Sequence, residues 1–274
     1  HGIRSDLVSI DLAANDSLVS VALSNNALTS VTGVNDKPNL EEFYVSNLAH
    51  WGEYNNITSL DLSGCPSLTA MSCLNNQMTY LNMRNGVTEQ LTYFDASGNP
   101  DLTCIETLDP VYATENWTNI DEGVTFSVIC GSEDQDEWHV STNGSDGSGN
   151  GTQESPFATI QMGINAAGDG NTVQVAAGTY VENINYNGKN IAVLGENRET
   201  TIIDGNETAS VVVFDSWEDS TAHLSGFTLT NGVPTGQWPY SRGGGINCQH
   251  SDPTLSNLLI TGNSSTAGGG GIYL

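Results

Sequence analysis

The stretch from Asp146 to Glu154 carries oxygen-bearing side chains at a spacing that suits a bound cation. Its sequence is DGSGNGTQE, which places donors at Asp146, Ser148, Asn150 and Glu154, with Gly151 at the sharp turn. The positions correspond to the first nine of a calcium loop, although the closing bidentate glutamate is missing. These four residues are a candidate calcium site, and a glycine- and asparagine-rich turn without an ion explains the same pattern.

Groups for acid–base catalysis are sparse in the same half of the chain. From residue 139 onward the basic residues are Lys189, Arg198 and Arg242, and none has a carboxylate cluster at a matching spacing. Proton abstraction needs such a base, and hydrolysis needs two carboxylates across a cleft. Four acidic residues are close in sequence: Asp204, Asp215, Glu218 and Asp219. We interpret them as corner residues, so the sequence predicts no catalytic residue and no bound cofactor other than calcium.

Aromatic side chains gather in one irregular stretch near the start of the chain. Residues 40–56 contain EEFYVSNLAHWGEYNN and exceed the length of the repeating unit described below. We predict a loop with Tyr44, His50, Trp51 and Tyr54 near its tip, because loops on rigid scaffolds often carry binding residues. Packing of Trp51 against its own coil is the alternative interpretation.

Net charge narrows the classes of partner. Six Lys and Arg residues against 32 Asp and Glu residues give a formal charge of -26. Nucleic acids and anionic membranes need a basic surface, so we expect neither as a partner. No apolar run is long enough to span a bilayer, and direct membrane insertion is not expected.

Repeated short strands organise the second half of the chain. The segment LSGFTLTNG at residues 224–232 is echoed by LSNLLITGN at residues 255–263, and GGGI at residues 243–246 recurs at residues 269–272. This pattern predicts a β-solenoid, with Asn or Gly at corners where φ is positive. Further strands are predicted at Thr172–Val175, Ile191–Leu194, Thr200–Ile203 and Ser210–Phe214.

A short amphipathic helix is predicted ahead of these strands. Ser155 would be its N-cap and Pro156 its first residue, and Gly168 would end it. Phe157, Ile160, Ile164 and Ala167 fall on one helical face. The helix would plug the first coil. Residues 139–274 thereby resemble secreted right-handed parallel β-helices of the pectate-lyase-like superfamily, and their later pieces resemble bacterial polymorphic outer-membrane and surface proteins.

The first half repeats another unit, Leu-x-x-Leu-x-Leu-x-x-Asn. Its copies begin at Leu7, Leu18, Ile57, Leu68 and Leu91, and their last positions are Asn15, Asn26, Cys65, Asn76 and Asn99. This is the leucine-rich-repeat pattern, in which the apolar positions fill the interior and the Asn satisfies backbone groups. Pairs of copies recur about every 21 residues, which implies two short strands per coil. Residues 5–131 resemble leucine-rich repeats of bacterial secreted proteins.

Two cysteines flank the segment after the last repeat. Residues 101–130 break the period, as a terminal cap does, and Cys104 and Cys130 stand near its ends. A Cys104–Cys130 disulfide would lock the cap onto the array, and the resemblance to secreted repeat proteins supports this pairing. It would imply an oxidising compartment. Cys65 and Cys73 are interpreted as structural thiols, and five cysteines leave at least one, Cys248 among the candidates, without a partner in the chain.

The sequence as a whole predicts a mainly β protein of two tandem solenoids. They are a leucine-rich repeat at residues 1–131 and a right-handed parallel β-helix at residues 139–274, with an acidic linker at residues 132–138. The β-helix stops at Leu274 without a cap, so we expect more chain or another subunit to cover this edge, or end-to-end self-association.

The expected role follows from this architecture and from the two resemblances. It is a non-catalytic segment of a large secreted or cell-surface bacterial protein that acts in adhesion, recognition or extracellular structure. Its partner would be a protein or carbohydrate ligand on the cell surface or in the matrix. The alternatives are an accessory part of a polysaccharide lyase or hydrolase whose active site lies outside this chain, and a subunit of an extracellular filament.

Overall fold

The chain forms two compact units, and each is described by itself. The structure, a computed structural model, describes residues 7–48, 54–132, 134–235 and 242–274. One unit extends to Gly131 and the other starts at Ser132. Every pairing between described strands is parallel, and helices are few, so the protein is mainly β with the strand order of a solenoid.

Very short strands build the first unit. They are β1 (Ser9–Asp11), β2 (Ser20–Ala22), β3 (Ser30–Thr32), β4 (Glu42–Tyr44), β5 (Ser59–Asp61), β6 (Ala70–Ser72), β7 (Tyr80–Asn82), β8 (Tyr93–Asp95), β9 (Cys104–Glu106) and β10 (Thr125–Ser127). A 3-10 turn covers Thr88–Gln90 and helix α1 covers Pro110–Asn116. The sheets are β1-β3, β2-β4-β6-β8 and β5-β7-β9-β10, so the chain passes from sheet to sheet up to β9.

Asparagine side chains close the interior of this unit where the strands turn away. The Asn76 amide nitrogen donates to the carbonyls of Cys73 and Val45, and its oxygen accepts from Ile57 N–H at 3.2 Å. Asn99 does the same one coil later, with Met78 N–H at 3.1 Å. The predicted role of these asparagines is therefore confirmed, because buried backbone groups need such partners.

The irregular stretch after Leu40 is only partly a loop. Tyr44 ends β4, which pairs with β2 and β6, so its predicted place near a loop tip is wrong. The apolar alternation that buries Phe43 and Val45 requires the strand to continue there. The Asn47 side chain joins the two ends of the remaining loop: its amide nitrogen donates to the Asn55 carbonyl and its amide oxygen accepts the Asn55 N–H, each at 2.7 Å. His50 and Trp51 lie outside the described residues.

An aromatic cluster and a disulfide close the first unit. Trp117, at the end of α1, is 3% exposed and stacks on Phe94 at 4.3 Å, with Phe126 edge-on at 5.7 Å. The Asp121 carboxylate accepts the N–H groups of Gly98 and Asn99. The predicted Cys104–Cys130 disulfide is confirmed, with its Cα atoms 5.9 Å apart. Side chains and a covalent bond thus cover the last coil.

The second unit winds through three parallel sheets in turn. Its strands are β11 (Glu137–Val140), β12 (Thr172–Val175), β13 (Gly178–Val181), β14 (Ile184–Asn185), β15 (Ala192–Gly195), β16 (Thr201–Asp204), β17 (Val212–Phe214), β18 (His223–Ser225), β19 (Thr228–Thr230), β20 (Ile246–Cys248), β21 (Thr254–Ser256), β22 (Leu259–Ile260) and β23 (Ile272–Tyr273). Sheet 1 is β11-β12-β15-β18-β21, sheet 2 is β13-β16-β19-β22 and sheet 3 is β14-β17-β20-β23. From β12 onward, each turn of the chain therefore adds one strand to every sheet.

Helix α2, at Ile160–Ala166, begins later than predicted. Phe157 instead forms a parallel bridge with Val140, and Thr159 is the N-cap. The bridge satisfies backbone groups at the edge of β11, which a helix starting at Pro156 would leave exposed. Gly163 lets the helix pack closely on the first two strands of sheet 1, because a Cβ at this position would lie within 3 Å of side-chain atoms of Val140 and Val173.

The predicted acidic linker is shorter than residues 132–138. Glu137 and Trp138 already belong to β11, which pairs with β12. Trp138 is 1% exposed, donates from its indole N–H to Asn171 at 3.0 Å and stacks on Phe157 at 5.9 Å. Burial of so large a side chain fixes its segment in the folded unit.

Glycine contacts set the spacing between the coils. A Cβ at Gly195 would lie 2.3 Å from the Gly226 carbonyl oxygen, and one at Gly244 would lie 2.4 Å from the Gly270 carbonyl oxygen. The two GGG repeats therefore stack backbone on backbone. Among the apolar residues, Leu224, Phe227 and Leu229 are fully buried, whereas their counterparts Leu255, Leu258 and Ile260 are half-buried.

Candidate functional site

A groove lies on the outer face of sheet 1, near the start of the second unit. Its cavity measures about 430 Å³, and it is bordered by a loop and by strands β11, β12 and β15. The polar lining consists of Glu137, His139, Ser141, Gln153, Gln174 and Glu196. Along β11 these polar residues alternate with the buried Trp138 and Val140, which explains why they face outward.

The strand register determines which groove residues are neighbours. His139 pairs with Gln174, and Glu137 with Thr172. Glu196, directly after β15, accepts the Ala177 N–H on its carboxylate at 3.0 Å. Two carboxylates, an imidazole, two amides and a hydroxyl therefore share one concave surface, which suits hydroxyl-rich ligands and could also transfer protons. Sequence reasoning missed the groove, although the alternation in Glu137-Trp138-His139-Val140 is a strand signal.

The predicted calcium loop borders this groove through Gln153. Both oxygens of Asp146 accept hydrogen bonds at the start of α2, from the N–H groups of Ala158 and Thr159 and from the Thr159 hydroxyl. Asn150 accepts from the N–H and hydroxyl of Thr152.

The other two donors of this loop differ in their surroundings. Ser148 bonds the Ser145 hydroxyl, and Glu154 is exposed. Asp146 therefore has a structural role that holds without an ion. The calcium site stays a prediction, and among the described residues no group of three or more His, Cys, Asp or Glu is arranged to hold a metal.

Lys189, the first of the three basic residues, caps a helix. Its ammonium donates to the carbonyls of Ile164, Asn165 and Ala167 at 2.7–2.8 Å, at the C-terminal end of α2. Burial lowers the pKa of Lys189, and Asp169 opposes this effect. An ammonium has three donors, and all three are used here. The cation also lies where the helix dipole favours it.

Arg198 and Arg242 occupy other corners of the coil. Lys189 lies between sheets 3 and 1, Arg198 between sheets 1 and 2, and Arg242 between sheets 2 and 3. Arg198 is exposed, whereas the Arg242 guanidinium lies 4.5 Å above the Tyr273 ring and donates to its hydroxyl. The fold therefore does not bring the three basic residues together.

Three of the four acidic residues, Asp215, Glu218 and Asp219, are corner residues as the sequence predicts, whereas Asp204 ends strand β16. Asp204 accepts from Asn206 N–H and from the Asn231 amide, and Asp219 accepts from Thr221. Hydrogen bonds from the Thr221 side chain and backbone lower the pKa of Asp219. Asp215, which is exposed, accepts from Asn185 and Ser216.

Glu218 differs from the other three because it is buried, with 1% exposure. Its carboxylate accepts from Gly188 N–H at 2.8 Å, Ser216 N–H at 3.0 Å and the Ser251 hydroxyl at 2.6 Å. Burial raises its pKa, but the bonds from Ser251, Ser216 and Gly188 outweigh burial and lower the pKa below its usual value. Glu218 thus joins three successive corners as a carboxylate.

The predicted ligand-contact residues are only partly described. Tyr44 faces outward beside Tyr93, with ring centroids 6.5 Å apart, and Tyr54 is 48% exposed. Because Tyr44 is in a strand and Tyr54 follows the loop, the described part of the chain does not show them at one tip. Their contact with a ligand stays a prediction.

The unpaired thiols are buried. Burial raises the pKa of both Cys65 and Cys73 to about 12. The Cys65 thiol donates to the Val34 carbonyl and the Cys248 thiol to the Ser251 carbonyl, each at 3.1 Å. These environments suppress the reactive thiolate, so Cys65 and Cys73 are structural, as predicted.

Comparison with known proteins finds one family model that matches most of the second unit. Residues 142–272 match a family model described as "Protein of unknown function (DUF1565)". This family is associated with parallel β-helix proteins, in agreement with the three parallel sheets. No curated protein and no solved structure shows a significant match to the chain. In the described parts, no helix is long and apolar enough to cross a membrane.

Proposed function

We propose that the chain is a non-catalytic segment of a large secreted or cell-surface bacterial protein that acts in adhesion, recognition or extracellular structure. The observation that carries this proposal is the use of Lys189 as a helix cap. Its three donors are bound to carbonyls, and the other two basic residues of the unit lie at different corners. A lyase needs a base that reaches its substrate, and Lys189 does not meet that requirement.

The disulfide supports the extracellular part of the proposal. Structural disulfides persist in oxidising compartments and are rare in the cytosol of mesophiles. The Cys104–Cys130 bond joins β9 to the segment after β10, at the covered end of the first unit. A recognition protein outside the cell would gain resistance to unfolding from such a bond.

Finer features of the fold belong to the same proposal. The first unit is a leucine-rich repeat, supported by the asparagine bonds and by the alternation between sheets. The second unit is a right-handed parallel β-helix, supported by the handedness that nearly all parallel crossovers share. Helix α2 is its cap, supported by the close packing of Gly163 on Val140 and Val173.

Activity and binding assays on the same protein test the proposal. The full chain is incubated with acidic and neutral polysaccharides, and unsaturated uronides and new reducing ends are measured as products. In parallel, affinity electrophoresis in gels containing each polysaccharide measures binding. We expect binding without products.

Variants of the groove make the assay decisive. If products form and Glu137→Gln, Glu196→Gln or His139→Ala abolishes them, the groove is a hydrolytic site and the proposal is wrong. Glu199→Gln is the matched control, because Glu199 is an exposed carboxylate that does not line the groove.

A further inference from the structure

Two exposed aromatic side chains stack on each other at successive corners after sheet 3. Trp217 is 76% exposed, and its ring lies 5.2 Å from that of His250 with an interplanar angle of 22°. Trp217 follows β17 and His250 follows β20, which pair in register. Tryptophan contributes strongly to stability when buried, so this exposed position is not explained by the fold.

Both residues also have a positive φ, which is uncommon outside glycine and which a bulky residue such as Trp217 disfavours. The φ angle is +69° at Trp217 and +58° at His250. At the preceding corner the same region is occupied by Asn187, at +52°, and Gly188, at +78°. Asn and Gly tolerate positive φ far better than a bulky residue does. A corner chosen for its backbone alone would therefore not carry Trp at position 217.

The stacked pair rests on a fixed base. Glu218 follows Trp217 and Ser251 follows His250, and the Glu218 carboxylate accepts the Ser251 hydroxyl at 2.6 Å. The same carboxylate holds the backbone of the preceding corner through Gly188. The backbone joins the corners again, because Asp252 N–H donates to the Glu218 carbonyl at 2.9 Å. The rings are thus held in place before any ligand arrives, which lowers the entropic cost of binding.

Polar residues next to the stacked pair in the sequence suit hydroxyl-bearing ligands. Asp215 presents an exposed carboxylate two residues before Trp217. The Gln249 amide, next to His250, donates to Asn247 at 3.1 Å, which orients its oxygen. Flat aromatic faces contact the C–H face of a sugar ring, and neighbouring carboxylates and amides bond its hydroxyls.

The charge of the corner selects among possible ligands. Asp215, Glu218, Asp219 and Asp252 surround the pair in sequence, and the Lys189 ammonium is bound to α2. Acidic sugars and nucleic acids would be repelled. We propose that Trp217 and His250 form a binding site for a neutral glycan, with Asp215 and Gln249 bonding its hydroxyls; this rests on the recognition function proposed above.

Isothermal titration of the full chain with neutral hexasaccharides of glucose, xylose, mannose and galactose tests the site. A hexasaccharide of galacturonic acid is the acidic comparison. We expect at least one neutral probe to bind more tightly than the acidic one. Trp217→Asn should weaken that binding at least tenfold, and His250→Asn should also weaken it.

The choice of Asn separates binding from folding. Asn tolerates positive φ, so neither variant should lower the Tm. Val181→Asn is the matched control, because Val181 is an apolar residue on another sheet that is 63% exposed. Its affinity should equal that of the wild type.

Several outcomes would overturn this site. Wild-type affinity in Trp217→Asn would reject the site and leave the recognition function standing, whereas cleavage of a probe would reject the recognition function itself. Tighter binding of the acidic probe would reject the neutral class. Absence of binding to every neutral probe would reject the glycan assignment. Binding of a peptide that depends on Trp217 would reject it as well.

Discussion

Removing the Cys104–Cys130 disulfide should destabilise the first unit by an amount that follows from the loop it closes. The two cysteines are 26 residues apart in sequence. The chain-entropy relation for a loop of this size gives about 3.5 kcal/mol at 25 °C. The bond from Cys130 N–H to the Glu106 carboxylate, at 3.2 Å, can persist without the disulfide, so the covalent constraint is the main loss. We therefore expect Cys104→Ala/Cys130→Ala to lose about 3.5 kcal/mol of unfolding free energy.

The assay must resolve the two units. Urea denaturation of the full chain, followed by pulsed hydrogen exchange and mass spectrometry of peptides, reports on each unit separately. Peptides from residues 7–131 should show the loss, and those from residues 134–274 should keep the wild-type midpoint. Far-UV circular dichroism would average the two transitions.

A reductant provides the control. It should lower the wild-type stability by the same amount as the double substitution and leave the double variant unchanged. A loss of unfolding free energy below about 1 kcal/mol would refute the loop-entropy argument, which predicts about 3.5 kcal/mol. Destabilisation confined to the second unit would refute the assignment of the disulfide to the closed end of the first.

Three further predictions concern the helix cap, the tyrosines and calcium. Lys189→Met should lower the unfolding free energy by about 2 kcal/mol, because it removes a partly buried cation from a helix C-terminus. The control variant Arg198→Met should change the unfolding free energy little. Urea denaturation midpoints measure both variants. Burial raises the pKa of Tyr80 and Tyr180 to about 12, above the unfolded value of 10.0. Between these two pH values the folded state therefore binds more protons than the unfolded state. The stabilisation should be fully present below about pH 10 and should decrease between about pH 10 and about pH 12. An increase in the unfolding free energy over this range would contradict the burial argument. If the calcium hypothesis holds, millimolar calcium should raise the Tm of the wild type but not of Glu154→Gln, and identical curves in calcium and chelator would reject it.

Much of the fold could be predicted because it is encoded locally and repeated. The strand Thr172–Val175 matches its prediction residue for residue, since alternating apolar residues face one interior. The hydrogen bonds of Asn76 and Asn99 follow from a side chain that bonds nearby backbone. The disulfide followed from two cysteines flanking an aperiodic segment and from the resemblance that supported their pairing.

Contacts between coils of unequal length could not be predicted from the sequence and are seen only in the tertiary structure. The sequence predicts that α2 starts at Pro156, but the bridge from Phe157 to Val140 moved that start to Ile160. The groove combines β11, β12 and β15 with a loop, and no local pattern relates them.

The sequence alone thus determined the short strands and the positive-φ corners, because backbone preference and periodic burial act within a few residues. The family resemblances implied the parallel pairing of the strands and supported the pairing of Cys104 with Cys130. The tertiary structure decided the roles of individual side chains. In the sequence Lys189 is one of a few basic residues, whereas in the fold it caps a helix. Trp217 stacks on His250 because the next coil places His250 beside it. The reason is that the number of residues in each corner sets which side chains meet, and that register is fixed only when the coils stack.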